Sequence, residues 1–450
     1  MPNFLPLRAR FRRIFHRNRR FWGRRQTIAF CLACLLTFGF EKWLDSVVEE
    51  QGQHNIVTKP LFSIGSVYQR LVTAGPRKPE ERFVVPVEIT IAKTKEKKSI
   101  GTHVENARNL CLERRYIGAL LKTLALFHPN VVVIDKYYGT DPCPFDAAAP
   151  PCAVTDNDTC ELVEGIKSLC ADEAKVVVGR AVVEDADPVK GEYYPLEDGY
   201  DFRENGAGCV QEALVNLDTD FRRVSLRSLN VLRAATVPES CGDVEDTPPA
   251  SVLKSCHPPS LPLAAAIAYT DGLSVADWPD TVPPPYVSFI KPEQFVKLDS
   301  SEVLCGSRDN WRACEASDAK PALRDRVRGK VVIIGDNLPE TDQHYTVVGW
   351  VPGYLLQANY IESLIDDRVF RPLPEGLDFG AGFVVFFWFE YLFWRYHGFQ
   401  ALIRVALLFC GVGAVVYLAA TNAKYYFDPA TTSVLAVLNS RIMELLMGKK

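Results

Sequence analysis

Apolar and polar positions along the middle of this chain recur with two periods. Residues 83–92 predict a strand, because Val, Ile and Thr dominate. Residues 112–127 predict a helix, with Ile117, Leu120, Leu121 and Leu124 at i, i+3, i+4 and i+7. Residues 130–135 are a continuous apolar run that ends in an acid, the pattern of a strand buried on both faces. Farther on, 161–170 reads as a helix, 175–178 as a strand, 261–269 as a helix and 286–290 as extended chain. A second buried strand follows at 331–334, and 353–366 reads as an amphipathic helix. This order predicts an α/β domain with a mixed, partly parallel sheet flanked by helices. Its ligand crevice lies beyond the carboxyl ends of the strands.

Long apolar segments flank that middle. Residues 26–40 contain no charge, and Trp43, Leu44, Val47 and Val48 extend them to a span if Glu41 and Lys42 snorkel into the headgroups. A cleaved signal peptide competes, but no small-x-small site follows the run. Further spans are expected at 379–394, 405–423 and 431–447, the last interrupted by Asn439, Arg441 and Glu444. The expected plan is a basic tail (1–25), a transmembrane helix (26–44), an outer domain (45–375) and about three C-terminal transmembrane helices. Glu390 and Arg441 fall at comparable depth, where unpaired charge is costly. They form a candidate intramembrane pair, unless Glu390 simply reaches the interface.

Charge supports this topology. The chain has a formal net charge of −4, yet its first 25 residues hold nine arginines and no acid. Such a tail against an apolar run marks the cytoplasmic side rather than a nucleic-acid contact. The polar middle is thereby placed outside the cytoplasm. It contains Cys111, Cys143, Cys152, Cys160, Cys170, Cys209, Cys241, Cys256, Cys305 and Cys314. Ten thiols in an oxidising space are disulfide candidates. Zinc is the weaker reading, since no C-x-x-C pair occurs there. The spacings suit Cys143/Cys152, Cys160/Cys170, Cys241/Cys256 and Cys305/Cys314, leaving Cys111 with Cys209, although spacing alone does not fix connectivity. No metal site or cofactor is expected.

Several blocks, in order, resemble the CHASE2 family, an extracytoplasmic sensor domain of bacterial membrane receptors. The clearest is RGKVVIIGDNLPETDQHYTVVGWVPGYLLQANYIESLIDDRVFRPLP, in which Gly329, Lys330, Gly335, Asp342, Thr346, Pro352, Gly353 and Ala358 match the family pattern. ALLKTLALFHPNVVVIDKYYG is similar to the family's helix and strand ending in Asp and an aromatic. GAGCVQEALVNLDTDFRRVSL looks like its third block, with Asn216, Asp218, Asp220 and Arg222 in place. Two departures stand out. The family's Trp-Pro-Trp-Pro-Arg stretch is replaced by Cys111-Leu112-Glu113-Arg114-Arg115, and no cytoplasmic output domain follows the last apolar segment. The resemblance implies a multi-pass protein of the bacterial inner membrane with its main domain in the periplasm.

For chemistry, Asp135 and Asp336 end buried strands where a crevice would open, and Asp342 follows closely. Converging carboxylates suit a cation such as calcium or a polar ligand; alternatively, they cap helices and turns. Arg115, Asp218 and Arg222 complete the ligand-binding candidates, against readings as solvated charge or structural ion pairs. No H-x-x-x-H, H-E-x-x-H or G-x-S-x-G pattern occurs, so no catalytic residue is assigned and an enzyme is not expected. The expected function is sensing an extracytoplasmic ligand or condition and relaying it through the transmembrane helices to a separate membrane or cytosolic output protein. A homo-oligomer is a further partner state, and a structural subunit scaffolding an envelope complex is the alternative.

Overall fold

The computed structural model describes residues 66–71, 77–89, 103–138, 157–180, 194–195, 202, 207–215, 231–232, 259–270, 285–307, 310–318, 320–337, 342–396 and 399–427. The readings for 1–25, 26–44 and 431–447 lie outside these residues, as do Asp218, Arg222, Arg441, Cys143, Cys152, Cys241, Cys256 and the side chains of Cys111 and Glu390. The chain divides into two compact units, Gln69–Pro372 and the sequence flanking it.

In the larger unit, six strands build one sheet: β1 (Val84–Ile89), β2 (Val131–Tyr137), β3 (Lys175–Arg180), β4 (Val210–Leu214), β6 (Leu298–Asp299) and β9 (Val331–Asp336). Their spatial order is β4-β3-β2-β9-β1-β6, and every adjacent pair is parallel. The sheet is therefore parallel throughout rather than mixed. Antiparallel pairing is found in short ribbons outside it: β5 (Tyr286–Val287) with β12 (Val369–Pro372), β7 (Cys305–Ser307) with β8 (Asn310–Arg312), and β10 (Gln343–Thr346) with β11 (Gly349–Pro352).

Helices cover both faces, which is why the central strands are apolar at every position. On one face, Val85, Val87, Val132, Ile134, Val332 and Ile334 meet α1 (His103–Ala125) and α2 (Asn157–Ala171). On the other, Val84, Val131, Val133, Val331 and Ile333 meet α3 (Leu261–Tyr269) and α6 (Gly353–Ile365). Two small helices, α4 (Ser300–Val303) and α5 (Pro321–Val327), connect the later strands. Strand β4 was not anticipated, because Gln211 and Glu212 interrupt its apolar run; it is an outer strand of the sheet.

Helices α1 and α2 touch through glycines. A Cβ on Gly118 would stand 2.3 Å from the Glu161 carbonyl oxygen, and one on Gly165 would stand 2.5 Å from the Gly118 carbonyl oxygen. Gly118→Ala therefore pries the pair apart, and thermal or urea unfolding should show a loss of about 1–3 kcal/mol.

Cys305 and Cys314 are bonded as expected and staple the β7–β8 ribbon. The other described bridge corrects the expected pairing, because Cys170 bonds Cys209 rather than Cys160, and Cys209 is thereby lost to Cys111. Cys160 and Cys170 both lie on α2. Ten residues of helix separate them by roughly 15 Å, far beyond the Cα separation a disulfide tolerates. The observed bridge, with a Cα separation of 5.6 Å, ties the end of α2 to the residue before β4. Cys160 is disulfide-bonded as well.

The second unit contains α7 (Glu375–Arg395) and α8 (Phe399–Ala423). Residues 403–423 form the one described helix long and apolar enough to cross a membrane, with mean hydropathy 2.1. The apolar part of α7, residues 376–389, is shorter than a span. Leu407, Val415 and Leu418 point outward from α8, the disposition a lipid-facing helix requires.

Candidate functional site

The site is built where β1, β2 and β9 end side by side. The register sets Glu88 against Gly335 and Ile89 against Asp336, with β2 on the far side of β9. Parallel strands send their carboxyl ends to one edge, so Glu88, Asp135, Lys136 and Asp336 gather there. Helix α6 begins at the same edge, directly after the β10–β11 hairpin.

Lys136 is the hub of the cluster. Its ammonium lies 2.6 Å from Glu113 Oε1, on α1, and contacts Asp336 Oδ2 as well. Burial opposes the ammonium's charge, but Glu113 and Asp336 together outweigh it and hold the pKa above the usual lysine value. Asp342 performs a different task. Its backbone and side-chain oxygens both accept from the Gly353 N–H at 3.1 Å, and His344 Nε2 lies 3.1 Å from Oδ1. Asp342 thus holds the N-terminus of α6, as the capping alternative required. The Tyr354 hydroxyl donates to Glu88 Oε2 at 3.1 Å. Tyr354 packs so close to β9 that a Cβ on Gly335 would fall 2.3 Å from Tyr354 Cβ, which explains the glycine inside this strand.

Asp135 is the unusual member. Part of the residue reaches solvent, yet burial of its carboxyl, aided by the charges of Asp342 and Asp336, pushes its pKa up to about 7 against the opposing pull of Lys136. No hydrogen bond contributes to that shift. Asp135 is thus poised near neutrality beside Asp336 and Asp342.

This shift makes a stability prediction. The folded state holds the Asp135 proton more tightly than the unfolded chain does, so stability falls as pH rises from about 4 to about 7 and then levels off. Glu362, also pushed up to about 7, adds in the same direction. Asp135→Asn should flatten part of that slope. Urea unfolding of the full-length protein at about pH 8 should show a gain of about 2 kcal/mol, after allowance for the solvent contact of the residue.

Asp135, Asp336 and Asp342 lie near one another, with different roles. Lys136 supplies the positive charge that the calcium reading gave to a metal ion, and among the described residues no three His, Cys, Asp or Glu side chains are arranged to hold one. Arg115 is exposed on α1, whereas its neighbour Arg114 is buried and donates to Thr159 Oγ1 on α2 at 2.8 Å. Glu88, Glu113, Lys136 and Tyr354 were missed. The available signal was position alone: Lys136 follows Asp135 in β2, and Glu88 occupies the matching end of β1.

A model of the CHASE2 domain matches residues 29–394. No curated protein and no solved structure shows significant similarity to the chain.

Proposed function

Because the chain belongs to the CHASE2 family, an extracytoplasmic sensor domain family, we propose that its sheet domain senses a small cationic or polar solute at the carboxyl edge described above. The observation that carries this reading is Asp135, an acid held near neutrality between Asp336 and Asp342. A cation or hydrogen-bond donor there favours the ionised carboxylate that burial disfavours, so binding and ionisation reinforce one another.

The crevice is joined to the apolar helices by a short path along the chain. Asp342 holds the start of α6, α6 runs into β12, and Glu375 opens α7 three residues after β12 ends. In this reading the protein is a multi-pass member of the bacterial inner membrane with its sheet domain in the periplasm. It catalyses no reaction, and its transmembrane helices pass the signal to a separate membrane or cytosolic partner, in a single copy or a homo-oligomer.

The test uses the full-length protein purified in mild detergent and a panel of small amines, amino acids and divalent cations. At least one solute should raise the melting temperature, and both Asp135→Asn and Asp336→Asn should abolish the rise. A panel without effect, or a rise that survives both substitutions, would defeat the proposal.

A further inference from the structure

A second concentration of charge lies at the turn between α7 and α8, which the sensing site does not use. Helix α7 ends at Arg395 and α8 begins at Phe399. Residues 391–427 contain Arg395, His397, Arg404 and Lys424 but no Asp or Glu. Both arginines are exposed, yet their guanidiniums gather over one ring. Arg404 stands 3.6 Å from the Tyr396 centroid and Arg395 5.6 Å from it. Among the described residues neither makes an ion pair or a hydrogen bond. The face of the ring attracts their charge, and their N–H donors remain open to a ligand.

The surroundings decide what kind of ligand fits. Arg404 is the one charged residue in the apolar segment 403–423, and it reaches back to Tyr396 as a cation leaving a bilayer core does. Ile403 and Leu407, one helical turn apart on the same side of α8, are exposed. Near the end of α7, the rings of Trp388 and Tyr391 meet edge to face at 5.8 Å, and Trp388 is exposed as well. Such aromatic residues collect at the headgroup level of a membrane. An acidic peptide or free phosphate would match the cations alone and leave the apolar wall bare. A lipid of net negative charge matches both.

We propose that the α7–α8 turn docks an anionic phospholipid. Arg395 and Arg404 take the headgroup phosphate, and an acyl chain lies along Ile403 and Leu407. The planar fork of arginine suits phosphate oxygens, and the positive amino end of α8 adds to the attraction. One arginine belongs to α7 and the other to α8, so the headgroup ties the two helices at their shared end. The proposal rests on the reading that α8 crosses a bilayer, and it is independent of what binds at Asp135.

The test is native mass spectrometry of the full-length protein in mild detergent, titrated with phosphatidylglycerol or phosphatidylcholine, with Arg395→Gln/Arg404→Gln alongside. The parent should bind phosphatidylglycerol roughly ten-fold more tightly than phosphatidylcholine. The double variant should lose that preference while binding phosphatidylcholine as the parent does, which also shows that it is folded. Asp135→Asn should keep the preference. No preference in the parent, or an equal preference in parent and double variant, overturns the proposal. A melting temperature raised by inorganic phosphate but not by phosphatidylglycerol would assign the cations to a free oxyanion and overturn it as well. Alkaline carbonate extraction of membranes that carry the protein separates the underlying reading. Release into the supernatant would defeat the membrane reading and the proposal with it, whereas retention without a lipid preference would defeat the proposal alone.

Discussion

Glu362→Ala is expected to cost the sheet domain about 3–5 kcal/mol, the range for breaking a buried ionic contact by removing one partner. Glu362 is 1% exposed on α6, and its Oε2 accepts from the first strand N–H groups of β1. Phe83 and Val84 stand where the ladder of β1 begins. Truncation would leave two N–H groups inside the protein without an acceptor, and the Arg82 guanidinium with the Arg77 carbonyl but no carboxylate beside it. Burial pushes the Glu362 carboxyl up to about 7, although the hydrogen bond from Val84, the Arg82 charge and the hydrogen bond from Phe83 all pull it down. Much of its work at neutral pH is therefore that of a hydrogen-bond acceptor rather than a charge. Glu362→Gln, which keeps one acceptor oxygen, should consequently be far milder than Glu362→Ala. Chemical denaturation near pH 7 distinguishes them, and equal losses would mean that the ionic contact with Arg82 dominates.

Removing the Cys170–Cys209 bridge with paired serines is expected to cost about 4 kcal/mol. Loop-closure entropy gives that value for the 39-residue separation, against about 2.6 kcal/mol for the separation of 9 between Cys305 and Cys314. The longer bridge matters for a second reason. Strand β4 is an outer strand, paired with β3 alone among the named strands of the sheet and anchored by Val210, Ala213 and Leu214, so the bridge adds a covalent tie at its start. Amide hydrogen exchange of the paired serine variant should show β4 opening before β2 and β9. Protection that remains uniform across these strands would contradict that order.

Most described positions of the block that carried the resemblance most clearly are architectural. Gly329 turns the chain with a positive φ before β9, and Gly335 admits Tyr354. Asp342 and Gly353 form the α6 cap, Thr346 bonds the Gly349 carbonyl across the β10–β11 turn, and Ala358 is buried against the sheet. A motif of this kind transmits a fold and leaves the ligand open. Ligand chemistry must instead come from residues such as Asp135 and Lys136, whose meaning depends on their neighbours.

The backbone architecture was legible because its cause is local. Continuous runs such as Val131–Ile134 and Val331–Ile334 require burial on both faces, and the 3.6-residue spacing in α1 requires one apolar side, so the alternation of strand and helix follows. Asp135 and Asp336 were legible for the same reason, since an acid that closes an apolar run must sit at a strand end. The start of α1 at His103 was missed because Glu105, Asn106, Arg108 and Asn109 make its first turns mostly polar. The Cys170–Cys209 bond escaped because the spacing of Cys160 and Cys170 was weighed apart from the helix that 161–170 predicts, which holds the two apart, and because Cys209 meets Cys170 only across the fold.

The charged site at the carboxyl edge depended on the assembled fold. Lys136 meets Asp336 only because β9, some 200 residues later, inserts between β1 and β2. Periodicity reports which side of an element avoids water, and that property belongs to each segment alone. Charge meeting charge across a sheet is set by strand order and register, which exist only once the whole domain has closed.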